Sequence, residues 1–257
     1  MARSWILAVA LVVATHTSAE AGYFEETFAT FMGIDQADVV SVAGFDLPAG
    51  SHFQHALIGR FKHGTHKEWQ SSEVFLVRCT SRQCTGKMVS LGNGEVELLG
   101  LVDLATPGAL PTRRIEMPRS SWYTSLDKSR VRRAWPALLV RTTEAKTVTT
   151  KSYTMKDVTG SDRHAELTII SLVKADAEFP RVLREVVDRH SPTGAGVSVT
   201  FELARGKGKA LDLLATEQRD IDNELACIRP KPTRSTYTLD AHRQYRKALE
   251  PVTGGCH

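Results

Sequence analysis

Asparagine is almost missing from this 257-residue chain: Asn93 and Asn223 are the only two, and neither opens an Asn-x-Ser/Thr acceptor. N-linked glycosylation is therefore excluded. Long hydrophobic runs are missing as well. The nine apolar residues from Trp5 to Val13 fall short of the roughly 20 needed to cross a bilayer as a helix, and no later segment reaches that length, so no transmembrane anchor is expected. The chain has no Gly-x-Ser-x-Gly, no His-Glu-x-x-His and no phosphate-binding loop, which removes the commonest signatures of serine hydrolases, zinc peptidases and nucleotide-binding enzymes. Cysteines number four, none in a Cys-x-x-Cys arrangement.

What is present begins with an export pattern. One cation, Arg3, precedes the apolar run, a polar stretch follows over Thr15 to Ser18, and the small residues Ala19 and Ala21 stand where a signal peptidase requires them. Residues 1–21 read as a signal peptide cut before Gly22, with no cysteine nearby to carry a lipid. The segment holds Arg3 and Glu20, so the mature chain keeps the formal charge of +4. That is enough for loose attraction to polyanions but well short of the concentrated basic face that specific nucleic-acid binding needs. A secreted or periplasmic location follows.

In an oxidising compartment an even number of cysteines argues for bridges. Three pairings are possible. Cys79 and Cys84 flank a four-residue turn between two β-rich runs, which makes Cys79–Cys84 the first choice and leaves Cys227–Cys256 to staple the C-terminal tail. In the loop-entropy account the short bridge contributes about 2 kcal/mol and the tail bridge about 3.6 kcal/mol.

Periodicity predicts an α+β chain dominated by antiparallel sheet. Phe24, Phe28 and Phe31 recur at helical spacing in a short N-terminal helix over Tyr23 to Met32. Alternation or β-branched enrichment marks strands at 53–61, 74–78, 87–91, 96–104, 137–143, 165–173, 197–203, 210–215 and 236–240. Gly92, Asn93 and Gly94 suit a hairpin turn. One clear amphipathic helix is predicted over residues 175–190, where Phe179, Val182, Leu183, Val186 and Val187 make an apolar stripe. Proline and glycine then divide the mature chain into a β-rich half, 22–106, a basic linker, 107–135, and an α+β half, 136–257, although the two halves together are small enough to form one domain.

Three groups of side chains invite a functional reading. His52, His55, His63 and His66 fall within 15 residues and carry the imidazoles that zinc or copper would take, but strand geometry sends His52 and His55 to opposite faces, so no metal or other cofactor is expected. Ser-x-x-Lys occurs at Ser125 and again at Ser171, without the companion motifs of acyl-enzyme chemistry. The strongest group is Arg113, Arg114, Arg119, Arg130, Arg132 and Arg133 with Trp122, Tyr123 and Trp135 interspersed. Guanidinium groups pair with phosphate, sulfate or carboxylate while aromatic rings stack on sugars, a combination suited to an anionic glycan or lipid headgroup. The expectation is an exported, non-catalytic binding protein of the envelope or exterior, engaging such a ligand or a protein partner. The competing class is an exported hydrolase, dependent on metal or on carboxylates.

Overall fold

The computed structural model describes residues 21–63, 66–81, 83–110, 123–125, 133–152, 154–206, 208–220 and 231–248. The described residues begin with helix α1, Ala21–Met32, and continue through fourteen strands. The first four, β1 Val39–Asp46, β2 His55–His63, β3 His66–Cys79 and β4 Cys84–Gly92, form an antiparallel meander. The short β7, Tyr123–Ser125, lies parallel to β1 and completes a five-stranded sheet in the order β4-β3-β2-β1-β7.

A second meander supplies the larger sheet. Its strands are β8 Pro136–Lys151, β9 Asp157–Ser171, β10 Arg181–His190, β11 Gly196–Ala204, β12 Asp212–Asp220, β13 Thr233–Leu239 and β14 Tyr245–Lys247, each paired with the next. From the earlier part of the chain, β5, Glu95–Asp103, joins its edge beside β8, and β6, Gly108–Ala109, pairs with β11. Gly92 to Gly94 therefore do not turn a hairpin, because they carry the chain from the edge of one sheet to the edge of the other.

The predicted helix over 175–190 is also corrected. Lys174–Asp176 forms a single 3-10 turn, and Arg181–His190 is strand β10. The reason lies in two register shifts against β9, between Arg181 and Leu183 and between Val186 and Asp188. A bulge turns consecutive residues toward one face. Val182 and Leu183 are accordingly both buried, and Val187 packs against the same core. Bulges spaced this way reproduce the i, i+3, i+4 pattern of a helix. Phe179, counted in the predicted stripe, is 70% exposed.

Strand alternation distributes the apolar residues over three layers. Ala56, Ile58, Val74 and Leu76 face inward from the smaller sheet onto Leu98, Leu138, Val140, Ile170 and Leu172 of the larger one. On the outer face of the smaller sheet, Leu57, Phe61, Phe75 and Val77 are covered by Phe28 of α1. Phe28 is fully buried because Gly59 leaves room for it: a Cβ on Gly59 would lie 2.3 Å from the ring. The opposite face of the larger sheet supplies Leu139, Leu167 and Ile169, which join Phe201, Leu203, Leu213 and Tyr237 as the sheet curls over its own side chains.

This packing stops halfway along the longest hairpin. Strands β8 and β9 stay in register from Ala137 opposite Ser171 to Lys151 opposite Asp157. Residues 137–140 and 167, 169–171 are buried, whereas 144–151 and 157–164 are half-buried or exposed. The seven residues from Glu144 to Thr150 carry the tip about 20 Å beyond the covered region.

Candidate functional site

The uncovered end of the larger sheet holds an open groove of about 760 Å³. Its walls come from β8, β9, the ends of β10 and β12, and the turn into β11. Cross-strand register explains how its charges meet. Arg189 stands opposite Val197, and Val197 opposite Arg219. Two arginines thus flank one valine in a single row, with backbones about 10 Å apart because one strand separates theirs. Asp162 lies on β9 two residues from His164, the partner of Arg189, and Asp220 follows Arg219 at the end of β12. Val148, Pro192 and Val197 supply apolar surface between these charges.

Gly196 is required at the β10–β11 turn. The His190 ring lies so close that a Cβ at 196 would sit 2.2 Å from its Nδ1. His190 itself is engaged: its Nε2 is 2.7 Å from Asp188, whose carboxylate also receives Arg141 at 3.5 Å and Arg163 at 3.4 Å. Nearby, Glu166 accepts Arg184 at 2.7 Å and lies 3.3 Å from His164, while Lys146 pairs with Glu144 at 2.6 Å. Arg219 donates through Nε to Glu217 at 2.6 Å.

Against this paired background, Asp162, Arg189 and Asp220 form no ion pair among the described residues. Asp162 stands directly opposite Lys146 across β8 and β9, and Asp220, next to Arg219 on β12, alternates to the other face, so Arg189 is the groove charge with an open approach for an anionic group. The hydrogen bond to Glu144 and the charge of that carboxylate, with a smaller part from Asp162, hold the Lys146 ammonium above its ordinary pKa.

The residues singled out from the sequence are placed differently. Arg113, Arg114, Arg119, Trp122, Arg130 and Arg132 lie outside the described residues, as does the Cys227–Cys256 pairing. Tyr123 opens β7 opposite Gly44. The Arg133 backbone N–H donates to Ala49 at 3.4 Å. Trp135 is buried in the core of the larger sheet, 8% exposed, with its indole N–H donated to Ser171 Oγ at 3.0 Å and the Arg243 guanidinium over its ring at 4.1 Å. Ser171 in turn donates to Asp176, a carboxylate buried to 3% and also bound by Arg243. That network ties the strand ends together at the covered side of the molecule, and Trp135 belongs to it.

Nor are His52, His55 and His63 gathered into one site. His55 Nδ1 lies 3.0 Å from Asp46, and His63 Nε2 lies 2.5 Å from Ser71. His52 contacts Arg78 at 3.3 Å and sets its ring edge-on to Phe53. Burial, then the charges of Arg78 and Lys174, push its pKa down. His66 lies at the start of β3, opposite His63. Among the described residues no three of His, Cys, Asp and Glu are grouped to hold a metal ion.

Cys79 and Cys84 are joined by a disulfide across directly opposed positions of β3 and β4. Among the described residues no helix is long and apolar enough to cross a membrane. Compared with family models, curated proteins and solved structures, the chain matches none.

Sequence reasoning overlooked Arg189 and Arg219, and it gave Asp162 and Asp220 no place in a site. Arg189 was hidden at the end of a predicted helix. Thr216 to Asp220 is polar throughout, so no apolar alternation signalled that the strand continues past Ala215 to Arg219.

Proposed function

We propose that the chain is an exported, non-catalytic binding protein that takes the anionic group of its ligand between Arg189 and Arg219. The observation that carries this reading is the Arg189 guanidinium, which forms no ion pair among the described residues, in an open groove with apolar walls. Guanidinium groups bind carboxylate and phosphate through directed, charge-assisted hydrogen bonds, and the valine between them supplies a dry contact for the ligand body. Export is supported by the order of charge, apolar run and small residues in 1–21, and by the Cys79–Cys84 bridge, which suits an oxidising compartment. The basic segment bearing Arg113, Arg114, Arg119, Arg130, Arg132 and Arg133 adds long-range attraction to the same anionic partner.

Retention on phosphocellulose as a function of salt tests the reading. The mature protein is expected to be retained at low salt and released steeply as salt rises, because each neutralised anion displaces counterions. Substituting both Arg189→Ala and Arg219→Ala should abolish most of that retention. Unchanged retention in the double variant, with loss on replacing Arg113, Arg114 and Arg119 instead, would transfer binding to the basic segment and sink the groove.

A further inference from the structure

Strand β5 pairs with β8 only as far as Thr143, opposite Glu95, and β8 runs on to Lys151 with β9 alone beside it among the described residues. The turn at the tip fixes which backbone groups this leaves open. Ser152 N–H donates to Lys156 O at 2.8 Å and Ser152 O accepts from Met155 N–H at 2.9 Å, so the polar groups of residue 152 point toward β9. That direction alternates along a strand, and β8 keeps one register with β9 from Lys151 back to Ala137. The even-numbered residues from Glu144 to Ser152 therefore bond inward to β9, while Ala145, Thr147, Thr149 and Lys151 turn their N–H and C=O groups outward. The 2.8 Å contact between the Thr149 and Thr159 hydroxyls agrees, because opposed side chains come closest where the two residues are not bonded to each other.

An open edge of this kind is a template for another strand, and proteins ordinarily blunt it with proline, a bulge or lysine. Residues 147–150 are Thr-Val-Thr-Thr, which favour a strand, and the segment has neither proline nor a register shift. Lys146 is present, but its ammonium is held by Glu144 of the same strand at 2.6 Å. A two-stranded ribbon is also marginal in water, so further strands would stabilise it. Symmetry selects the occupant. Two copies of one strand pair antiparallel only about an axis through a residue, since opposed positions must both turn outward. About Val148 all four outward residues find partners, Ala145 with Lys151 and Thr147 with Thr149, each twice. About Thr147 or Thr149 only three do, and an axis at Thr147 drives each tip into the start of β5 in the other copy. The Val148 register opposes no like charges, sets threonine against threonine and brings the two Val148 side chains together at the axis.

We propose that the outer edge of β8 is a homodimer interface, in which the strand pairs antiparallel with the same strand of a second copy about Val148 and the two larger sheets become one. The contact is isologous and uses up the edge on both copies, so it closes at two. Val148 and Thr150 also line the groove. The axis therefore brings the grooves of both copies to one apolar wall, with Lys146 of each copy opposite Thr150 of the other.

Sedimentation equilibrium of the mature protein over about 1–200 µM, the range in which small interfaces associate, should show a reversible dimer. Thr147→Pro removes an outward N–H and sets a ring into the edge without removing a bond to β9. It should weaken association at least about tenfold while the circular dichroism of the sheet is kept. Val148→Cys places a thiol against its own copy at the axis, so mild oxidation should link the dimer above the wild-type background. Ala145→Cys, three residues from the axis on each strand, should not link. A wild type that stays monomeric throughout overturns the proposal, as does a dimer that a folded Thr147→Pro variant leaves at full strength. Linkage at position 145 as readily as at 148 overturns the register and with it the argument for a second copy. Should Thr147→Pro fail to fold, the cysteine pair decides alone: linkage confined to position 148 supports the interface, and its absence removes it.

Discussion

The two ends of the larger sheet treat charge in opposite ways. At the covered end Asp176, buried to 3%, is bound by Ser171 and by Arg243, and Arg243 stacks on Trp135. At the open end, on the outer part of the same sheet, Asp162 and Arg189 line a groove and form no ion pair among the described residues. The difference follows from solvent. A carboxylate withdrawn from water needs a partner and further hydrogen bonds to offset its desolvation, whereas one in an open groove remains hydrated and is free to exchange water for a ligand. The same pair of residue types therefore holds the fold at one end and is available for recognition at the other.

The largest effect should come from breaking the buried member of this comparison. Asp176→Ala leaves the Arg243 guanidinium without its carboxylate and Ser171 without its acceptor. A loss of about 3 kcal/mol is expected, read as a lowered midpoint in urea with an unchanged slope. Asp162→Ala, at the open end, should shift stability by no more than about 0.5 kcal/mol. Equal effects of the two substitutions would mean that the ends do not differ as described.

A second substitution asks how far the covered region depends on close approach. In Gly59→Ala the new methyl would meet the Phe28 ring at 2.3 Å, so α1 must shift or lift from the smaller sheet. The expected loss is about 2 kcal/mol, and hydrogen exchange should show it in α1 before the strands beneath. A matching loss in Gly59→Ala with α1 still fully protected would place the strain in the sheet instead.

Much of this architecture was legible in the sequence, and the failures have definite causes. Alternation located most of the strands because one face of each is buried, and the four-residue turn between Cys79 and Cys84 identified the cross-strand bridge. Strand β10 was misread because its bulges bring Val182 with Leu183, and Val187 soon after, to one core. Only the run of β-branched valines spoke for a strand. Strand β1 went unread because in Val39–Asp46 the buried positions Val42, Gly44 and Phe45 do not alternate cleanly. The groove was illegible for another reason: Asp162, Arg189, Arg219 and Asp220 come from three strands, and only the register of β9 through β12 brings them together. Trp135 shows the converse. Its neighbours in sequence are basic and suggested a ligand-stacking role, while its neighbours in space are Ser171 and Arg243.

The smallest expected effect sharpens the comparison at the covered side. Glu73, on β3, is 6% exposed, and one of its carboxylate oxygens has no hydrogen-bond partner among the described residues. Burial raises its pKa, partly offset by a hydrogen bond to Ser90. The folded chain therefore keeps the Glu73 proton at pH values where the unfolded chain has lost it. Stability contributed by this group is full below the ordinary carboxylate range and falls as pH rises through the raised value. Glu73→Gln cannot ionise, so the stability of the variant relative to wild type should increase between pH 4 and pH 8. Denaturant unfolding at the two pH values measures that difference directly, without depending on what the amide itself costs. A difference that stays constant would show that Glu73 is ionised in the fold with no penalty, and that hydration reaches further under α1 than the buried Phe28 implies.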